Sequence, residues 1–120
     1  MRVLLVEDSE RLRRSLAAAL KKSGYAVDAV GDGKEGLWLA ECNEYDVIVL
    51  DIMLPALDGF ELCRRVRSTG ALKKTRVLIL SARGHDAEIE KGLQLGADAY
   101  MRKPFGTREF LGTVSQLLAR

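Results

Sequence analysis

The sequence predicts a doubly wound α/β domain built on a parallel sheet. Two observations predict it. Three short, continuous apolar runs, Val3–Val6, Val47–Leu50 and Val77–Leu80, are rich in β-branched residues, as strands buried on both faces require. Between them the apolar period changes to that of helices. Taken in order, the first strand is followed by a helix in which Leu12, Leu16, Ala19 and Leu20 share one face, and Gly24 stands where that helix should stop. Tyr25–Val30 alternates and reads as the second strand. Helical patterns then occupy Lys34–Cys42, Phe60–Arg67, Ala87–Leu95 and Arg108–Leu118, with Gly70 and Gly96 as further stops. The third and fourth strands lie between these helices, and Ala97–Met101 reads as a weaker fifth. Strand and helix thus alternate five times, with no repeat, linker or low-complexity tract.

A chain of 120 residues fits one domain, expected to fill positions 1–120, and 48% hydrophobic residues are enough for a core. With 19 basic and 17 acidic side chains, the net charge of +2 is too small to predict nucleic-acid binding by this domain. Cys42 and Cys63 both fall in helical patterns, which suits a reduced cytoplasmic protein better than a disulfide scaffold. No apolar run is long enough to span a bilayer, and the first strand meets Glu7-Asp8 at once, unlike a signal peptide.

Three of the apolar strands end in chemistry: the first at Glu7-Asp8, the third at Asp51, the fourth at Ser81. In open α/β sheets ligands bind beyond the carboxyl ends of the strands, at a switch point. If the first and third strands are neighbours, Glu7, Asp8 and Asp51 converge. Packed carboxylates repel unless a cation intervenes, and an all-oxygen set suits Mg²⁺. A carboxylate can also attack phosphorus. Lys103 could neutralise an added phosphoryl charge, and the Ser81 hydroxyl could hydrogen-bond to it. The plainer reading makes Glu7-Asp8 a favourable helix start and Asp51 a loop acid. It weakens once Ser81 and Lys103 stand at other strand ends.

These residues carry a resemblance. Val6-Glu7-Asp8, Asp51-Ile52-Met53-Leu54-Pro55 with Asp58-Gly59, Ser81-Ala82-Arg83, and Gly96-Ala97-Asp98-Ala99-Tyr100 with Lys103-Pro104-Phe105 resemble the response regulator receiver family, along the whole chain and in order. The OmpR/PhoB-type branch, which precedes winged-helix output domains, is the most similar. The resemblance implies a flavodoxin-like (βα)5 fold in three layers with strand order 2-1-3-4-5. It implies that Asp51 accepts a phosphoryl group from a sensor histidine kinase. It implies Mg²⁺, with Mn²⁺ or Ca²⁺ as substitutes, held by Glu7, Asp8, Asp51 and the Met53 backbone carbonyl. Ser81, Ala82, Tyr100 and Lys103 would form the phosphate-binding and switch set, and the Lys103–Pro104 peptide would be cis. Ser81 stands where threonine is commoner and keeps the hydroxyl. The module would catalyse only its own phosphotransfer and dephosphorylation, and would control a transcriptional output outside this chain.

The branch also implies a homodimer through the fourth helix, fifth strand and fifth helix, with Ile89, Leu93, Asp98 and Glu109 as the candidate face. Glu109 and Leu93 match. The base expected opposite Glu109 falls on Ile89, an expected acid falls on Ala99, and that acid's arginine partner falls on Thr113. A weakened dimer is therefore expected, unless Lys91 substitutes for the base.

Other signals are weaker. Gly31-Asp32-Gly33-Lys34-Glu35-Gly36 matches G-x-G-x-x-G, and Asp51 ends the next strand like a ribose-binding acid. The motif follows the second strand rather than the first, however, and a glycine-rich helix start explains it. Aspartyl phosphatases need a second acid where Met53 stands. A Ser81–His85–Asp86 triad would lie on a single loop and helix start, and Asp86 reads better as a helix cap. Leu37 and Trp38 read as core or groove packing. Lys73, Lys74 and Arg76, like Arg64, Arg65 and Arg67, read as solvated surface.

Overall fold

The apolar runs form the centre of one parallel sheet. In the computed structural model, which describes residues 1–52, 54, 56–57, 59–68, 74–82 and 86–119 (backbone only for 86–89), the strands are β1 (Arg2–Val6), β2 (Ala26–Val30), β3 (Val47–Asp51), β4 (Arg76–Ser81) and β5 (Ala99–Arg102). Their order is β2-β1-β3-β4-β5, all parallel. The connecting helices are α1 (Glu10–Lys22), α2 (Gly33–Cys42), α3 (Gly59–Ser68), α4 (Asp86–Gln94) and α5 (Thr107–Leu118). This is the predicted fold class and strand order.

Successive strand residues point to opposite faces, so the sheet divides the core in two. Leu4, Val6, Ile48, Leu50, Val77 and Ile79 pack with Leu62, Cys63 and Val66 of α3. On the other face Val3, Leu5, Val49, Leu78 and Leu80 pack with Leu16 and Leu20 of α1 and Phe110, Val114 and Leu117 of α5. Every residue of β3 is buried. The weaker signals in the sequence belong to the two edges. In β2 only Val30 is buried and in β5 only Met101, because an edge strand is covered less and tolerates small or polar residues.

Helix ends follow from local chemistry. Ser9 caps α1 through its hydroxyl, which accepts from Leu12 N–H, and Asp32 caps α2 by accepting from Glu35 N–H. Gly24 (φ +94°) and Gly96 (φ +105°) end the first and fourth helical segments in a conformation that favours glycine. Gly70 lies outside the described residues. Asp86 is the first residue of α4, and His85 and Arg83 lie outside the described residues. Trp38 corrects the packing expectation. Gly33, Gly36 and Ala40 form the buried face of α2, which turns Trp38 outward with 63% of its surface exposed. Leu37 does pack against the core. Both cysteines are free, Cys42 exposed and Cys63 buried. Among the described residues, no helix is long and apolar enough to cross a membrane.

Candidate metal and phosphoryl site

The strand order makes β1 and β3 neighbours, and Val6 is in register with Leu50. The residues that follow them, Glu7 and Asp51, therefore stand at one level at the carboxyl end of the sheet. Glu7 continues the ladder by donating its N–H to Val30 O (3.0 Å), and its carboxylate accepts from Ser9 N–H at 3.0 Å. Glu7 is fully buried and Asp51 is 3% exposed, while Asp8 is exposed. The helix following Asp51 can approach only because residue 59 is glycine: a Cβ there would stand 2.4 Å from Asp51 O. Carboxylate oxygens of Glu7, Asp8 and Asp51 all lie within 4.8 Å of one another.

Lys103 comes in from the end of β5, where its N–H donates to Ser81 O (2.8 Å). Its Nζ donates to Glu7 Oε1 at 2.6 Å and to Asp51 Oδ2 at 3.1 Å, and the Lys103–Pro104 peptide is cis. Burial pushes the Glu7 carboxyl up to about 7, although the Lys103 ammonium and the Ser9 N–H pull it down. Burial works against the Lys103 charge too, but hydrogen bonds and charge from Glu7 and Asp51 outweigh it, so its pKa is raised. The cluster is thus a concentration of negative charge that one ammonium only partly balances. An all-oxygen donor set with two buried members and one open to solvent fits a hard divalent cation that keeps part of its water shell.

The other predicted residues are placed as follows. Ser81 is buried at the end of β4 and Ala82 is exposed beside it. Tyr100, on β5, is 39% exposed. Leu93 and Glu109 are exposed. Asp98 turns inward, accepting from the Arg67 guanidinium and from Val77 N–H at 2.8 Å. Lys91 Nζ lies 4.6 Å from the centre of the Phe60 ring. The Met53 carbonyl and the Ile89 side chain lie outside the described residues.

Each glycine of the G-x-G-x-x-G motif has a packing reason. A Cβ at Gly33 would meet Leu57 O at 1.9 Å, one at Gly36 would meet Val6 Cγ2 at 2.8 Å, and one at Gly31 would meet Arg13 Nη1 at 3.0 Å. Arg13 is also a site residue that the sequence reading missed. Its Nη1 donates to Glu7 O at 2.9 Å and reaches Asp8 O at 3.5 Å. The available signal was its position. A cation in the opening turns of a helix opposes the helix dipole, so it invites the question of what holds it there.

Comparison with known proteins agrees with this geometry. The family model for the response regulator receiver domain matches residues 3–115. Response regulator MprA of Mycolicibacterium vanbaalenii and that of Mycobacterium leprae are each 42% identical over all 120 residues, which cover 51% and 52% of their lengths. The chain thus spans about half the length of these curated relatives. Among solved structures, the chemotaxis response regulator CheY4 of Vibrio cholerae superposes with a TM-score of 0.92 at 32% identity, with 97% of each chain covered. The receiver domain of sensor histidine kinase PA1611 from Pseudomonas aeruginosa superposes with a TM-score of 0.91 at 31% identity, covering 99% of this chain and 98% of that one. Its structure has a magnesium ion coordinated in the active site cleft.

Proposed function

Because this chain belongs to the response regulator receiver domain family, we propose that residues 1–120 form a receiver that takes a phosphoryl group on Asp51 from a sensor histidine kinase. The observation that carries the reading is the meeting of Glu7, Asp8 and Asp51 within 4.8 Å, with Lys103 on the two buried members. An Asp51 carboxylate oxygen attacks the phosphorus. As the O–P bond forms, the P–N bond to the kinase histidine breaks and the imidazole leaves with the electron pair. Mg²⁺, which Mn²⁺ or Ca²⁺ can replace, would be held by Glu7, Asp8, Asp51 and the Met53 carbonyl and would neutralise charge on the phosphoryl oxygens. Lys103, already 3.1 Å from Asp51 Oδ2, exchanges that contact for a phosphoryl oxygen and offsets its charge. Ser81, at the neighbouring strand end, donates its hydroxyl to another, and Ala82 lies at the rim. The chain catalyses only its own phosphorylation and dephosphorylation.

The phosphoryl group adds nearly two negative charges and new acceptors at one end of the sheet. Drawing Ser81 toward it opens space for Tyr100, which biases the face formed by α4, β5 and α5. The length of the curated relatives supports an output domain in a longer protein, and we read that output as transcriptional. The modest charge gives no reason for the receiver itself to bind nucleic acid, and its place of action is the cytoplasm.

The test uses acetyl phosphate with Mg²⁺, where attack on phosphorus expels acetate. Intact mass should rise by one phosphoryl group, and should not rise in Asp51→Ala or after Mg²⁺ is chelated. An equal gain in Asp51→Ala overturns the reading.

A further inference from the structure

We propose that Arg13 is the positioning residue of the acid cluster: by gripping the main-chain carbonyls of Glu7 and Asp8 it aims their carboxylates at the cation. The inference rests on the reading of Glu7, Asp8 and Asp51 as a cation site. Glu7 and Asp8 lie between β1 and α1, so neither the strand ladder nor the helix uses their carbonyl groups. Arg13 Nη1 donates to Glu7 O at 2.9 Å and reaches Asp8 O at 3.5 Å. Among the described residues no other donor reaches either carbonyl.

Three further observations show that the guanidinium is held there rather than resting there by chance. First, it has no carboxylate partner among the described residues, whereas the adjacent Arg14 pairs with Glu10 at 2.8 Å. Second, Arg13 is the fourth residue of α1, close to a helix end whose dipole disfavours cations. The two carbonyl contacts offset that cost. Third, the opposite wall is Gly31, where even a Cβ would stand 3.0 Å from Nη1.

Arg13 could affect a cation in two opposite ways. Its own positive charge repels the ion, so removing Arg13 on that account tightens binding. Its hold on the Glu7–Asp8 backbone fixes the ligand geometry, so removing it on that account weakens binding. Partners that orient metal ligands typically change metal affinity about 10–100-fold when removed. Arg13 is half-buried and Asp8 is exposed, so solvent reaches this side of the cluster and reduces the charge repulsion. Orientation is therefore the larger effect.

The experiment is calorimetric titration of Mg²⁺ into wild type, Arg13→Ala, Arg13→Lys and Arg13→Gln, with urea unfolding in chelator run alongside. Arg13→Ala should weaken Mg²⁺ binding about tenfold or more, while its metal-free unfolding midpoint moves far less. Arg13→Lys and Arg13→Gln, which keep a donor but not the reach that lets Nη1 meet both carbonyls, should fall between it and wild type. Arg13→Ala binding Mg²⁺ as well as or more tightly than wild type overturns the proposal. If Arg13→Ala does not fold, unchanged affinity in both conservative variants overturns it instead. Failure of wild type to bind Mg²⁺ at all overturns the cation site itself along with this inference. Unchanged affinity in the variants with normal wild-type binding overturns the role of Arg13 alone.

Discussion

Cys63 is fully buried on α3, with Sγ 3.6 Å from Leu95 O, and burial pushes its thiol up to about 11. The thiolate is the reactive form. At pH 8 an alkylating reagent should modify exposed Cys42 and spare Cys63 in the native protein, and should modify both in urea. Mass mapping of the labelled peptides checks this. The sign for stability is also set: a folded pKa above the unfolded one leaves the contribution of Cys63 complete below about pH 9, and it is lost as pH rises toward 11. At this scale the acids were legible in the sequence because each stands directly after an apolar run. Lys103 was legible through the motif Lys103-Pro104-Phe105. Arg13 was not, because its partners are main-chain carbonyls, which leave no mark in sequence. The inward turn of Asp98 was hidden for a similar reason: its partner Arg67 is 31 residues away, on α3.

Two glycines at the level of elements separate close packing from mere flexibility. Gly33 opens α2 against Leu57 O, which a Cβ would approach to 1.9 Å, while a Cβ added at Gly112 in α5 would have nothing within 4 Å. Gly33→Ala should lower stability by about 1–3 kcal/mol, because the neighbour is backbone and cannot yield cheaply. Gly112→Ala should raise it by about 0.5–1 kcal/mol through helix propensity alone. Urea midpoints at constant m-value distinguish the two. Strands β1, β3 and β4 were plain in the sequence because both of their faces are covered. The β2 and β5 signals were diluted because edges need fewer apolar residues. The outward position of Trp38 was illegible to composition. It follows from the small residues Gly33, Gly36 and Ala40 taking the inner face of α2.

For the whole molecule, the α4–β5–α5 face bears on oligomerisation. Leu93 and Glu109 are exposed on it, but Lys91 rests on Phe60 and Asp98 is held by Arg67. Ala99 and Thr113 cannot form ion pairs. Exposed pairs contribute only about 0–1 kcal/mol each and chiefly set partner choice. Sedimentation velocity with beryllofluoride should therefore show a weak dimer or none. A tight dimer that salt disrupts and Glu109→Ala abolishes would mean that the ion pairs exist. The strand order was legible only through the family resemblance, since alternation of strand and helix fixes the class but not which strands are neighbours. That order places Glu7 beside Asp51, and so it underlies the proposal that Asp51 is the phosphoacceptor. The most direct measurement is borohydride reduction of the protein after acetyl phosphate and Mg²⁺, which converts an aspartyl phosphate to homoserine, followed by peptide sequencing. Homoserine at position 51 and nowhere else, lost when Mg²⁺ is chelated, is the predicted result. Homoserine at another position, or none in a protein whose mass has risen by a phosphoryl group, would contradict it.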